Sequence, residues 1–448
     1  MDHNGHLLRI LGLGFGLAAV VGSVIGQGIL RSPGVVAEST NSPVLILSLW
    51  LAGGLIALLT AFAYAELAAA IPRAGGQFAH IHRAFGDKIG LGAGLTLLFA
   101  GLTTVAMLSF VTGEFLVRLE VGGGAYSAVE LGIAVAVLFT AINATGTRMS
   151  GVSNILFSSI KGVVLLGLVV ALFGTSSGQF ISSPATESDI LINGWLPLGT
   201  AILVIISTYN GWWDVAYYGE EIRNPGKQIP RAMLGGIVGV TVLYLLINSA
   251  MLMVMTPEQM AGSNFVAADA AGIVFGENAD YLLTLFGVLS VGAITNLSLM
   301  TNTRFVFALS RAHVMPARLS SVARNGTPLW ALSFVTITGC AFILTGSYTA
   351  LSSMTVSIGQ AVVVLTLLSA IRLRHTEPDL HRPFRMPLYP WTAILALAIA
   401  TALLAVFIVQ DPIWSLSGFV LVAATWAFIE FVLDLSPVLE PIDANLVE

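Results

Sequence analysis

The chain has 448 residues, of which 56% are hydrophobic and 10% charged, with a mean hydropathy of +0.89. Those values exclude an ordinary soluble domain, because so much apolar side chain needs lipid rather than water as its solvent. The formal net charge of −5 excludes little, since in a membrane chain the division of charge between the two sides carries the information.

Apolar stretches long enough to cross a hydrocarbon core of ~30 Å, which takes ~20 helical residues, recur from Leu11 to Phe431 with short polar breaks. Runs of that length predict helices and exclude an outer-membrane barrel. In chain order the expected spans are 9–36, 43–70, 86–117, 127–145, 152–174, 196–221, 231–255, 280–310, 328–345, 349–371, 389–410 and 413–433. The segment from Met1 to His6 is polar and the run after it is too long for a signal h-region, so the first helix is expected to act as its own insertion signal. Cys340 is the one cysteine and lies in an apolar stretch, so neither a disulfide framework nor a metal cluster is expected.

Assigning the loops alternately to two sides puts nearly all the basic residues, from Arg9 to Arg385, on the side of the N-terminus. Only Arg31 and Arg118 fall opposite, and the loops at 175–195 and 256–280 carry no lysine or arginine. The asymmetry predicts a multi-pass chain with both termini cytoplasmic. Trp50, Trp330, Trp391 and Trp414 near span ends are expected to be interfacial anchors. His80, His82, His313, His375 and His381 fall in expected cytoplasmic loops at no metal-binding spacing.

Two spans are interrupted. The first reads Gly22-Ser23-Val24-Ile25-Gly26-Gln27-Gly28 near its middle, and the sixth reads Ser207-Thr208-Tyr209-Asn210-Gly211-Trp212-Trp213-Asp214. Glycine at a close helix crossing accounts for either alone. Their positions say more: they open two halves of five spans each, and broken helices at corresponding places in two halves point to a transport site on an inverted repeat. Unwinding frees N–H and C=O groups, which the bilayer tolerates only along a ligand-lined cavity. Half-helix N-termini then offer donors to a carboxylate while free carbonyls accept from an ammonium, and a zwitterion satisfies both.

Lys161 lies about eleven residues into the fifth span, roughly 16 Å deep at 1.5 Å per residue. An ionisable group at that depth is read first as facing a pathway, the alternative being a lysine that reaches the interface from a span with different bounds. Glu66, Glu220 and Glu221 near cytoplasmic helix ends, beside Arg73, Arg223, Lys227 and Arg231, are read first as structural or gating ion pairs. Asp214, one turn past the second break, belongs either to the exit path or to a local pair.

Taken together, these stretches resemble the amino acid–polyamine–organocation superfamily, close to its bacterial and L-type amino acid permease branches. The resemblance covers nearly the whole chain. It rests on Gly22–Gly34, Tyr64-Ala65-Glu66-Leu67, Pro72-Arg73-Ala74-Gly75-Gly76, Arg83-Ala84-Phe85-Gly86, Tyr209-Asn210-Gly211-Trp212, Gly219-Glu220-Glu221, Asn224-Pro225, Ile229-Pro230-Arg231 and Arg382-Pro383-Phe384-Arg385-Met386-Pro387. It implies an all-α integral membrane protein of the LeuT type. Such a fold has two inverted five-helix repeats, here about 9–174 and 196–371, and two peripheral helices at about 389–433, twelve transmembrane helices in one domain. It implies a carrier of neutral L-amino acids, with transport of cationic amino acids or polyamines by the same superfamily as the alternative. The expected setting is a plasma membrane, a bacterial inner membrane above all.

Carried over by position, the substrate carboxylate meets the amides of Gly26, Gln27 and Gly28. The amine meets carbonyls near Val24, Ile25, Ser207 and Asn210. An aromatic that commonly closes the site in the L-type branch aligns with Ser207, which leaves occlusion to Tyr209 or Trp212. In sodium-independent relatives a lysine matching Lys161 substitutes for a bound sodium, its ammonium bridging the fifth helix to the first, and it is a candidate for proton coupling. Asn210, where dibasic-preferring relatives carry an aspartate, favours neutral substrates. No cofactor is expected. No cysteine falls in an expected external loop, so a disulfide-linked partner glycoprotein, as in animal L-type transporters, is not expected either. An enzyme would need a convergent nucleophilic or metal constellation and a channel a filter motif or charge rings, and the sequence carries no such motif.

Overall fold

The computed structural model describes residues 9–26, 28–175, 180, 195–261, 263, 266–345, 348–410 and 412–428. The first span is split into α1 (Leu13–Val24) and α2 (Gly28–Ala37), followed by α3 (Pro43–Ala70). A short helix α4 (Gln77–Phe85) then leads to α5 (Asp87–Arg118), α6 (Ala128–Ala144) and α7 (Thr147–Thr175). The sixth span is split into α8 (Trp195–Tyr209) and a 3-10 segment, Trp212–Tyr218. After it come α9 (Pro225–Leu252), α10 (Pro257–Ala261), α11 (Val266–Phe275) and α12 (Ala279–Arg311). The last four are α13 (Leu329–Thr345), α14 (Tyr348–Thr376), α15 (Trp391–Gln410) and α16 (Pro412–Phe428).

Each expected span falls on one of these helices or, for the first and sixth, on a pair of segments; the twelfth can be followed to residue 428. Among the described residues, seven helices are by themselves long and apolar enough to cross a membrane. α3 is one, 28 residues long or about 42 Å. Its start is fixed by Ser42, whose hydroxyl accepts from the Leu45 amide, and by Pro43 in the first turn, where the missing N–H costs nothing. α6 starts on a capping box between Ser127 and Glu130.

The broken segments occupy the middle. α1 packs against α7, α9 and the 3-10 segment, while α2 packs against α8, α10 and α11. Before α1 the chain pairs with the stretch that follows the 3-10 segment: the Leu11 amide donates to the Glu221 carbonyl at 2.9 Å and the Arg223 amide to the Leu11 carbonyl at 2.8 Å. Around them α3 packs on α9, α5 on α6, α12 and α14, and α14 on α15 and α16. The outer surface is aliphatic: Val163, Leu166 and Val170 of α7 are exposed on the face away from Lys161, which is fully buried.

Three expectations change. Trp50 is not an interfacial anchor but part of the core, its ring packed against Tyr209 and Tyr244, whereas Trp330, Trp391 and Trp414 are exposed. His80 and His82 belong to the buried face of α4, a helix in a stretch expected to be loop; Phe78, Ile81 and Phe85, three and four residues apart, carry it onto the bundle. The expected external loop at 256–280 contains α10 and α11, and α11 packs on α2, α7 and α12.

Candidate functional site

α1 ends because Ile25 turns to an extended conformation, with φ −75° and ψ 96°. α8 ends at Asn210-Gly211, where Gly211 takes φ +109°, a left-handed conformation that a side chain rarely adopts. The two breaks touch. A Cβ on Gly211 would lie 2.9 Å from the Ser23 Cβ, so glycine is needed there for close approach as well as for its φ. Beyond the break the Ser23 hydroxyl donates to Asp214 Oδ2 at 2.6 Å. On the other side Ser32 of α2 and Thr208 of α8 share a hydroxyl hydrogen bond of 2.7 Å, and a Cβ on Gly28 would meet Thr208 at 2.9 Å.

α7 supports the first break from behind. Ser158 and Lys161, one turn apart, face α1: the Ser158 hydroxyl donates to the Ala18 carbonyl at 2.8 Å, and the Lys161 ammonium donates to the carbonyls of Gly22 at 2.9 Å and Ile25 at 2.7 Å. The ammonium thus satisfies carbonyls that lose their helical partners where α1 stops. From α9, the Tyr244 hydroxyl donates to the Val24 carbonyl at 2.9 Å and lies 3.4 Å from that of Thr208.

A cavity of about 590 Å³ opens at the breaks. Ser23, Val24, Gly26 and Gly28 from the first break and Ser207, Asn210, Gly211 and Asp214 from the second line it, opposite Thr104, Ser298, Asn302 and Gln360 on α5, α12 and α14. Those opposing residues were absent from the expected site. The available signal was single polar residues inside apolar spans, such as Ser298 and Asn302 four apart on α12.

Not every expected site residue reaches the cavity. Tyr209 and Trp212 are buried and line a small neighbouring void instead, the Tyr209 hydroxyl donating to the Trp50 carbonyl at 3.0 Å. The aromatic side chains of this stretch that do border the cavity are Trp213 and Tyr217. Ile25 is buried behind the break, its carbonyl held by Lys161. Gln27 lies outside the described residues.

The acidic residues near helix ends are paired with arginines distant in sequence. Arg304 of α12 makes a two-pronged contact to Glu221, through Nε at 2.7 Å and Nη2 at 3.0 Å, with both side chains out of solvent. Arg311 holds Glu220, which also accepts from the Ala74 amide. Glu66 is held by Arg374, Arg382 and the Met386 amide, joining α3 to the end of α14 and the segment after it. Glu66, Glu220 and Glu221 do not line the cavity; Asp214 does.

The amino acid permease family model matches residues 16–429 of this chain. The chain belongs to that family. Among similar proteins, the serine/threonine exchanger SteT of Bacillus subtilis (strain 168) is 29% identical over 404 residues, covering 89% of this chain and 90% of SteT. The b(0,+)-type amino acid transporter 1 of Mus musculus is 29% identical over 422 residues, 91% of this chain and 84% of that one. The Asc-type amino acid transporter 1 of Mus musculus is 28% identical over 401 residues, covering 85% and 73%. The crystal structure of MhsT in complex with L-phenylalanine superposes with a TM-score of 0.59 over 90% of this chain and 99% of that one, at 16% identity. That likeness concerns the fold alone, which is of the LeuT type. This permease is therefore a multi-pass membrane transporter, not an enzyme.

Proposed function

We propose that this permease carries neutral L-amino acids across a plasma membrane by alternating access, without sodium, through proton coupling or exchange. The observation that carries the reading is the cavity itself: about 590 Å³, at the meeting of two broken helices, within the range of small-molecule sites. It presents backbone of both breaks and polar side chains from the facing helices. The exchangers and transporters named among its relatives support an amino acid as cargo. Sodium independence is supported by Lys161, whose ammonium already occupies carbonyls at the end of α1 that would otherwise suit a cation. In this reading 9–174 and 196–371 act as two repeats moving about the site, 389–433 as peripheral helices, and the termini are cytoplasmic. Gly26 and Gly28, with Gln27 between them, offer amides to the carboxylate, and the ion pairs of Glu66, Glu220 and Glu221 hold helix ends that part during the cycle.

A second reading, transport of cationic amino acids or polyamines, is favoured by one observation, the carboxylate of Asp214 on the cavity wall. Uptake of labelled serine, alanine and leucine into liposomes containing the purified protein, in sodium-free buffer with and without unlabelled amino acid inside, tests the first reading. It predicts uptake that unlabelled internal amino acid accelerates, and a strict sodium requirement contradicts it.

A further inference from the structure

Four carbonyls at the breaks each already accept a hydrogen bond within the protein. Val24 O accepts from Tyr244, Gly22 O and Ile25 O accept from Lys161, and Ser207 O accepts from the Asn210 amide at 3.3 Å. Asp214 is different. It is half-buried and lines the cavity, and it accepts one side-chain hydrogen bond, from Ser23 to Oδ2. Among the described residues no lysine, arginine or histidine lines the cavity, and no other carboxylate does. The salt bridges found among the described residues involve Glu66, Asp87, Glu220, Glu221 and Glu377, not Asp214.

An ionised carboxylate inside a membrane bundle is costly unless water or a cation meets it. Among the described residues no cation of the protein meets it here. We propose that the Asp214 carboxylate, steadied by Ser23, receives the ammonium group of the transported amino acid. This rests on the transport reading above and names the contact within it. Gly211 lets the wall of the second break approach Ser23, so that the hydroxyl engages Oδ2 of a carboxylate that lines the cavity. A charge-assisted hydrogen bond at that oxygen separates an amino acid from the hydroxy acid of the same shape, which offers a neutral hydroxyl in place of the ammonium.

The test compares wild type with Asp214→Asn in detergent, using binding of three pairs: L-alanine and L-lactate, L-serine and L-glycerate, L-leucine and 2-hydroxy-4-methylpentanoate. Wild type is expected to prefer the amino acid in each pair by about tenfold to a hundredfold, the scale of one charged hydrogen bond. In Asp214→Asn that preference should collapse, with hydroxy-acid binding kept or improved. Asp214→Ser serves as the second neutral variant should asparagine fail to give a monodisperse protein, and Asp214→Glu should keep the preference. A structural role for Asp214 would weaken both members of a pair alike, and an unchanged ratio in a folded neutral variant overturns the proposal. So does a wild type that prefers lysine and loses only that preference in Asp214→Asn, since the carboxylate then serves a side chain. If wild type exchanges and binds no amino acid at all, the transport reading fails first and carries this one with it.

Discussion

The ammonium of Lys161 in α7 lies 2.7 Å from the carbonyl oxygen of Ile25, the residue at which α1 stops. Through that contact and its partner at Gly22 O, one side chain of the fifth span holds open the end of a helix in the first.

Removing it should be expensive. Lys161→Ala leaves two carbonyls without their donor in a dry interior, at about 1–3 kcal/mol for each such group. The variant should unfold at lower temperature than wild type and lose exchange. Lys161→Arg should not rescue it, because a planar fork does not fit where a compact ammonium sits. Wild-type rates should be equal in sodium and choline buffers. Full transport by Lys161→Ala would contradict the assignment.

The buried pair of Glu221 and Arg304 makes a second prediction. Glu221→Gln strands a buried guanidinium, at a cost of about 3–5 kcal/mol, whereas replacing both residues by apolar ones of similar size leaves no charge behind. Thermal unfolding in detergent should rank wild type above Glu221→Leu with Arg304→Met, and that double variant above Glu221→Gln. If the single variant matches wild type, the pair contributes nothing to the bundle.

Gly28 has Thr208 against it, so Gly28→Val pushes a branched side chain into the Ser32–Thr208 contact and the cavity wall. The expected result is a monodisperse protein, with amino acid binding reduced beyond detection. Normal uptake would remove the first break from the site.

His80, in α4 and outside the spans, titrates in an accessible range. Burial holds its pKa down to about 4 from 6.5, opposed by the Ile71 backbone. The unfolded chain therefore binds the proton first. Stability is fully present above pH 6.5 and is lost as pH falls through the window from 6.5 to 4. Melting temperatures measured from pH 7.5 to 4.5 should fall more steeply for wild type than for His80→Leu. Parallel curves would show that His80 does not titrate this way.

The positions of the spans and of both breaks were legible because a bilayer demands about twenty apolar residues per crossing, and because glycines and serines stand out in such runs. Other features depend on long-range contacts that no local pattern encodes. Glu221 finds Arg304 across 83 residues and Glu66 finds Arg374 across 308, where neighbours in the chain had been the natural guess. Trp50 reads as an anchor by its place in the span, yet Tyr209 and Tyr244 draw it into the core. Trp213 rather than Trp212 borders the cavity, and the left-handed Gly211 resets the chain direction just before them, so helical spacing carried on from α8 does not place either ring.

The central claim, a carrier for neutral amino acids, is tested most directly by counterflow. Proteoliposomes loaded with unlabelled leucine, alanine and serine are diluted into trace labelled serine without sodium, and competitors are then added outside. The account predicts transient accumulation of label above the equilibrium level, suppressed by alanine, leucine and serine far more than by lysine, arginine or putrescine. Accumulation that arginine or putrescine suppresses more strongly than every neutral amino acid would contradict it.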